Sequence, residues 1–221
     1  MTIKERMEAS QLYVITAPKA DGSADYPGLV EAACDGGADV IQFRDKTLSI
    51  RERYDIGLSL ADICYARKTL FIVNDMIDLA LAVGADGVHL GQDDLPLEPA
   101  RELARRFGAK EFLIGRSTHS LEQALAASEE GADYIGVGPV YATPTKPSYQ
   151  PVGLDLVREV AQKLRTPQVA IGGISAETVP EVLRAGAKRV AVVRAVAHAA
   201  DIEAACRRLK SALSEPAAAT V

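Results

Sequence analysis

One tripeptide, repeated at equal intervals, constrains this chain more than any other feature. Gly37-Ala38-Asp39, Gly84-Ala85-Asp86 and Gly131-Ala132-Asp133 stand 47 residues apart both times, and Gly186-Ala187-Lys188 repeats the idea 55 residues later. Each precedes a run rich in β-branched residues, and each Gly is placed to end a helix before a strand begins. A period of 47 residues is two βα units, so four such quarters make eight. That arithmetic predicts a single-domain α/β protein, a (β/α)8 TIM barrel rather than an open doubly wound sheet.

Eight β-like runs fit this reading. They are "LYVIT" from Leu12, "DVIQFR" from Asp39, "TLFIVND" from Thr69, "GVHLG" from Gly87, "FLIGRS" from Phe112, "YIGVGPV" from Tyr134, "QVAIGG" from Gln168 and "RVAVVR" from Arg189. Amphipathic segments such as "SIRERYDIGLSLADICYARK", "LEPARELARRF" and "GLDLVREVAQKL" lie between them. This alternation predicts a parallel sheet. The barrel domain is expected over residues 1–213, with 214–221 as a disordered C-terminal tail.

Composition narrows the function. A net charge of −5 argues against a nucleic-acid surface. No apolar run approaches a membrane span, and "MTIKERMEAS" is too polar for a signal peptide. Cys34, Cys64 and Cys206 are scattered and odd in number, which suits free thiols in a reducing cytoplasm. Exposed apolar helix faces could pair copies of the chain into a homo-oligomer.

In a TIM barrel the chemistry sits at the C-terminal ends of the strands. The second strand is odd: Gln42, Arg44 and Lys46 fall at period two, so an extended chain points all three to one side. Buried cations need an anionic partner, either a structural carboxylate or an anionic substrate. Strand three ends in Asn74 and Asp75, and strand four runs into Asp93 and Asp94. Such oxygen-only surroundings suit Mg2+ and not zinc. Helix capping is the competing reading for both acids.

Strand five runs into Ser117, Thr118, His119 and Ser120. Ser120 with Gln123 fits a capping box, Ser117 is the candidate for a phosphate oxygen, and His119 is either catalytic or a hydrogen-bonding scaffold. After strand six, Thr143, Thr145 and Lys146, with Pro144 and Pro147, have the parts of a phosphate cradle. Ala142 to Pro151 is the candidate lid. Gly172 and Gly173 would let a ligand approach the backbone after strand seven, and Ser175 could cap the next helix. The ends of strands seven and eight are the usual phosphate site of this fold.

Taken in series, "QFRDK", "VNDMIDLALAVGADGVHLGQDD", "GRSTHS", "ADYIGVGPVYATPTKP" and "AIGGI" resemble the thiamine phosphate synthases, also called thiamine-phosphate pyrophosphorylases. The resemblance covers nearly the whole chain. It implies a transferase of thiamine biosynthesis that joins hydroxymethylpyrimidine diphosphate to a thiazole phosphate and releases pyrophosphate. By that resemblance Gln42, Arg44, Lys46, Asn74, Ser117 and Lys146 contact the pyrimidine diphosphate, and Asp75 and Asp94 hold Mg2+. Thr143, Pro144, Thr145, Gly173, Val193 and Arg194 line the thiazole phosphate site. Arg44, Lys46, Lys146 and Ser117 carry the catalytic roles. Two positions depart from the family's pattern: Arg194 replaces a small hydroxyl residue, and Arg116 replaces a small apolar one. "GRSTHS" also resembles the family's thiazole tautomerase relatives, in which a His of this loop is the acid/base. A barrel that only senses a phosphorylated metabolite is a further alternative.

Overall fold

In the computed structural model, which describes residues 1–143 and 150–214, a first helix α1 (Ile3–Ala9) precedes eight strand–helix units. They are β1 (Leu12–Ile15) with α2 (Tyr26–Asp35), β2 (Val40–Phe43) with α3 (Ile50–Ala66), β3 (Leu70–Asn74) with α4 (Ile77–Ala82), and β4 (Gly87–Leu90) with α5 (Leu97–Arg106). Then come β5 (Leu113–Thr118) with α6 (Leu121–Glu129), β6 (Tyr134–Val137) with α7 (Gly153–Lys163), β7 (Gln168–Ile171) with α8 (Val179–Arg184), and β8 (Val190–Val192) with α9 (Arg194–Ala197) and α10 (Ile202–Ser214). The strands pair in chain order, all parallel, and β1 pairs β8 with Tyr13 opposite Ala191, closing the barrel. All eight expected strands form. The sixth stops at Val137, since Pro139 has no N–H for the ladder. Of the expected tail, Ser214 ends α10 and the rest lies outside the described residues.

The repeated tripeptide is a joint at the barrel's N-terminal rim. Gly37, Gly84, Gly131 and Gly186 each follow a helix end at φ of 92°, 70°, 85° and 100°, where a Cβ would be strained. The acids then bind the neighbouring strand. Asp39 accepts from the backbone N–H of Leu12 at 2.8 Å, Asp86 from that of Phe71 at 2.8 Å and Asp133 from that of Ile114 at 2.8 Å. Each carboxylate thus satisfies an N–H at the start of a strand.

Along the strands, side chains alternate between the helix layer and the interior. Val14, Ile41, Phe43 and Val73 pack outward, while Tyr13, Ile15, Val40 and Ile72 fill the barrel. The polar N-terminus, unassigned in sequence, forms α1 and stoppers the interior from below. Thr2 and Glu5 make a capping box, and Met7 is fully buried among the interior residues. Burying such a side chain stabilises by about 1.5–3 kcal/mol. Arg189 fastens the stopper, its Nε donating to the Met7 carbonyl at 2.9 Å.

Outside, α3 leaves Ile50, Tyr54, Leu58 and Tyr65 exposed along one face. The three cysteines are free thiols. Among the described residues no helix is long and apolar enough to cross a membrane.

Candidate active site

A cavity of about 490 Å³ opens at the C-terminal ends of the strands. Its floor is a chain of hydrogen bonds across the barrel interior. Gln42 Nε2 donates to the Tyr13 hydroxyl at 2.8 Å, and the Tyr13 and Tyr134 hydroxyls lie 3.0 Å apart. His89 joins Tyr134 through Nδ1 at 3.2 Å and the Ser117 hydroxyl through Nε2 at 2.9 Å. Burial drives the Tyr13 and Tyr134 hydroxyls far above their ordinary pKa, so both stay neutral. The floor is therefore polar, with both phenols in their neutral form.

Strand β2 and the loop after it divide the three long polar residues. Gln42 is buried in the floor, Arg44 lines the cavity and Lys46 is exposed beyond the strand. Asp45, between the two cations, belongs to the scaffold. It accepts from the backbone N–H groups of Thr47 at 2.6 Å and Leu48 at 2.8 Å, and from the Tyr26 hydroxyl. Burial would raise its pKa, but these bonds outweigh burial and hold the carboxyl below its ordinary range. Among the described residues neither Arg44 nor Lys46 forms an ion pair.

The two candidate metal ligands come together. Asp75 sits at φ 62°, with its N–H on the His89 carbonyl at 2.8 Å. An aspartate in this region is a local cost of the kind that collects at functional sites. Burial, and next the Asp94 carboxylate beside it, push the Asp75 carboxyl up to about 6, while Lys46 and Arg44 pull the other way. The four side chains thus share one field although they come from three loops. Neither acid caps a helix. The first residues of α4 and α5 follow Met76 and Pro96, and neither helix has a side-chain cap. Asp93 is exposed.

This pair fits magnesium. Two adjacent carboxylates, Asp94 raising the proton affinity of Asp75, have the oxygen donors a hard divalent cation takes from protein, the rest coming from water and phosphate. Among the described residues no cluster of three His, Cys, Asp or Glu offers a zinc-type set.

The β5 end behaves mainly as scaffold. The His119 ring Nδ1 is bonded to the Gly138 carbonyl, and the His119 N–H donates to Gln123 Oε1 at 2.8 Å. Ser120 accepts from the Gln123 N–H at 3.3 Å, so half of the expected capping box forms. Arg116 reaches outward to the loop after β4, donating to the carbonyls of Gln92 at 3.2 Å and Leu95 at 3.3 Å.

On the opposite side, Thr143, Gly173, Val193 and Arg194 line the cavity, and Asn74 borders it beside Asp75. Pro144, Thr145, Lys146 and most of the candidate lid lie outside the described residues. Gly172 and Gly173 line the cavity, and they also seat the β6–α7 loop. A Cβ on Gly172 would come within 2.5 Å of Pro139 Cα, and one on Gly173 within 2.7 Å of Tyr141 Cβ. Backbone bonds from Val140 to Ile171 at 2.8 Å and from Tyr141 to Gly172 at 3.0 Å hold the start of that loop. Ser175 does not cap the next helix: α8 begins at Val179 after Thr178, and Ser175 closes the preceding turn by accepting the N–H groups of both through its carbonyl. Arg194 is exposed and reaches His198 Nδ1 at 3.5 Å.

Sequence reasoning passed over Tyr13, His89 and Tyr134. Their signal was strand parity. Tyr134 faces Gly115 across the β5–β6 pair, His89 faces Gly115 from β4, and Tyr13 packs with Tyr134 in the interior cluster, so all three belong to the inward set.

Known proteins bear on this site. The family model described as thiamine monophosphate synthase matches residues 12–196. A thiamine-phosphate synthase from Synechococcus sp. (strain WH7803) is 49% identical over 212 residues, covering 96% of this chain and 59% of the relative. One from Chloroflexus aurantiacus is 46% identical over 205 residues, covering 92% of this chain and 93% of the relative. The solved thiamine phosphate pyrophosphorylase from Pyrococcus furiosus superposes with a TM-score of 0.85 at 38% identity, covering 96% of this chain and 98% of that one. The chain therefore spans about three fifths of the Synechococcus relative and nearly all of the other two.

Proposed function

The chain belongs to the thiamine monophosphate synthase family, and from that premise we propose that it condenses 4-amino-2-methyl-5-hydroxymethylpyrimidine diphosphate with a thiazole phosphate, giving thiamine phosphate and pyrophosphate. The thiazole is 4-methyl-5-hydroxyethylthiazole phosphate or its carboxylated form. One observation carries the reading. Asp94 raises the proton affinity of Asp75, which stands in the field of Arg44 and Lys46, two cations with no ion-pair partner among the described residues, and Arg44 lines a cavity with a polar floor.

The chemistry follows from that arrangement. Breaking the CH2–O bond leaves a pyrimidine-stabilised cation, and the leaving diphosphate gains negative charge. Arg44 and Lys46 would hold the diphosphate oxygens in fixed positive charge, where they act most as the bond breaks. Asp75 and Asp94 would hold Mg2+, which when bound neutralises charge on the departing group. The floor of Gln42, Tyr13 and His89 can hydrogen-bond an aminopyrimidine, and Asn74 and Ser117 line the same cavity. Thr143, Gly173, Val193 and Arg194 would take the thiazole phosphate, with Pro144, Thr145 and Lys146 completing the cradle as the resemblance implies. The thiazole nitrogen brings its own lone pair, so positioning replaces a protein nucleophile.

The enzyme would work in the cytoplasm, in keeping with three free thiols. The exposed stripe on α3 supports a homo-oligomer as part of the same reading.

The test mixes purified protein with the pyrimidine diphosphate, each thiazole phosphate in turn and Mg2+, and follows pyrophosphate. Release matched by thiamine phosphate is expected. No release with either thiazole overturns the reading, and an isomerised thiazole in its place would assign the tautomerase activity.

A further inference from the structure

We propose that Arg116 is a positioning residue that holds the Asp94 loop in the shape that binds the divalent cation. This rests on the metal reading of Asp75 and Asp94 given above. Along β5, Ser117 points into the cavity and Arg116 points away from it. A guanidinium on the outer side of a barrel strand can pair with a carboxylate. Among the described residues Arg116 has no such ion pair. Its fork straddles the acidic loop instead, one arm on the Gln92 carbonyl at 3.2 Å and the other on the Leu95 carbonyl at 3.3 Å. Asp93 and Asp94 are the two residues between those carbonyls.

The loop needs such a clasp. Residues 91–96 lie between β4 and α5 and belong to neither, and Pro96 brings no N–H to the helix start. Asp94 partly folds the loop on itself, its carboxylate accepting from the Gly91 N–H at 2.6 Å. That bond sets where Asp94 lies within the loop, not where the loop lies against the barrel. Arg116 supplies the second link, and Gln92 adds a third by donating from Nε2 to the Ser117 carbonyl at 2.5 Å. The neighbours Arg116 and Ser117 thus anchor the strand-four loop to strand five.

A planar five-donor fork fits two carbonyls better than a lysine ammonium does. Outer-sphere partners of this kind commonly change metal affinity by ~10–100-fold when removed. Arg116 acts through backbone carbonyls, so its loss should fall at the lower end of that range.

The experiment titrates Mn2+ into the full chain and follows free Mn2+ by electron paramagnetic resonance, with and without inorganic pyrophosphate. Melting curves first check that each variant is folded. Arg116→Met is expected to bind Mn2+ about tenfold more weakly than the parent, Arg116→Lys to fall between, and Asp94→Asn to lose the site. The magnesium concentration for half-maximal turnover should rise in the same order. Arg116→Met and Arg116→Lys both matching the parent, while Asp94→Asn loses the site, would overturn the clasp and leave the metal reading intact. Asp94→Asn binding as tightly as the parent would overturn the metal reading and the clasp with it.

Discussion

The two rims of the barrel carry similar charges and handle them in opposite ways. At the N-terminal rim Asp39 and Asp133 are satisfied. Asp133 takes Lys4 at 2.7 Å, Arg101 at 2.5 Å and the Ile114 N–H at 2.8 Å, and Asp39 takes Lys210 at 2.8 Å and the N–H groups of Gln11 and Leu12. At the C-terminal rim Asp75 faces another acid and is pushed up to about 6, while Arg44 and Lys46 make no ion pair among the described residues. The lower rim uses its charges to join strands. The upper rim leaves Arg44 lining a cavity, where on the proposed reading a charged substrate would complete the set. Charge count does not separate a structural face from a reactive one; the state of satisfaction does.

The largest test of that contrast is at the upper rim. Asp75→Ala and Lys146→Ala should each lower turnover by at least ~100-fold, the scale of a lost transition-state contact, with little loss of stability for Asp75→Ala. Steady-state pyrophosphate release together with urea melts decides it. Near-normal turnover in both variants would show that these charges are idle. Asp133→Ala should do the reverse. It strands a buried N–H and removes two ion pairs, which costs roughly 2–3 kcal/mol by urea unfolding, with turnover per folded molecule unchanged. A drop in turnover larger than the drop in folded fraction would erase the distinction between the rims.

Much of this was legible in the sequence because parallel strands buried on both faces read as apolar runs. The strand ends carrying Arg44, Asp75, Asp94 and Ser117 could be located for the same reason. Tyr13, His89 and Tyr134 were not, since a side chain deep in a barrel meets partners from strands far away in sequence, and only the closed register brings them together. Gly172 and Gly173 were read as openings for a ligand, yet they also let a neighbouring loop close in. That demand comes from packing between units and leaves no local pattern. Helix α1 was missed because a polar segment with one buried methionine gives no periodic signal. Arg116 shows the same limit from the other side, as its partners are backbone carbonyls that the sequence does not name.

His119 tests whether a hydrogen-bonded group at the upper rim is scaffold. Its ring is bonded to the Gly138 carbonyl and its N–H to Gln123. His119→Ala should cost less than about tenfold in turnover, below the range of general acid–base catalysis. A loss beyond ~100-fold would mean that proton transfer limits the reaction, contrary to departure of the diphosphate as the hard step.

Asp45 gives the finest test, because it lies between Arg44 and Lys46 yet is satisfied like the acids of the lower rim. Its carboxyl is held below the ordinary range by Tyr26 and the Leu48 and Thr47 N–H groups, against the pull of burial. A depressed carboxyl stabilises the fold above the unfolded pKa of about 3.9, and that contribution fades as pH falls through the lower folded value. Asp45→Asn should therefore cost about 1 kcal/mol at pH 7, the scale of hydrogen bonds to a partly exposed carboxylate. Stability curves of parent and variant should converge on the acid side of about pH 4. A gap that stayed undiminished there would mean the bonds work without the charge, and Asp45 would then report loop shape alone, with no bearing on how either rim manages its acids.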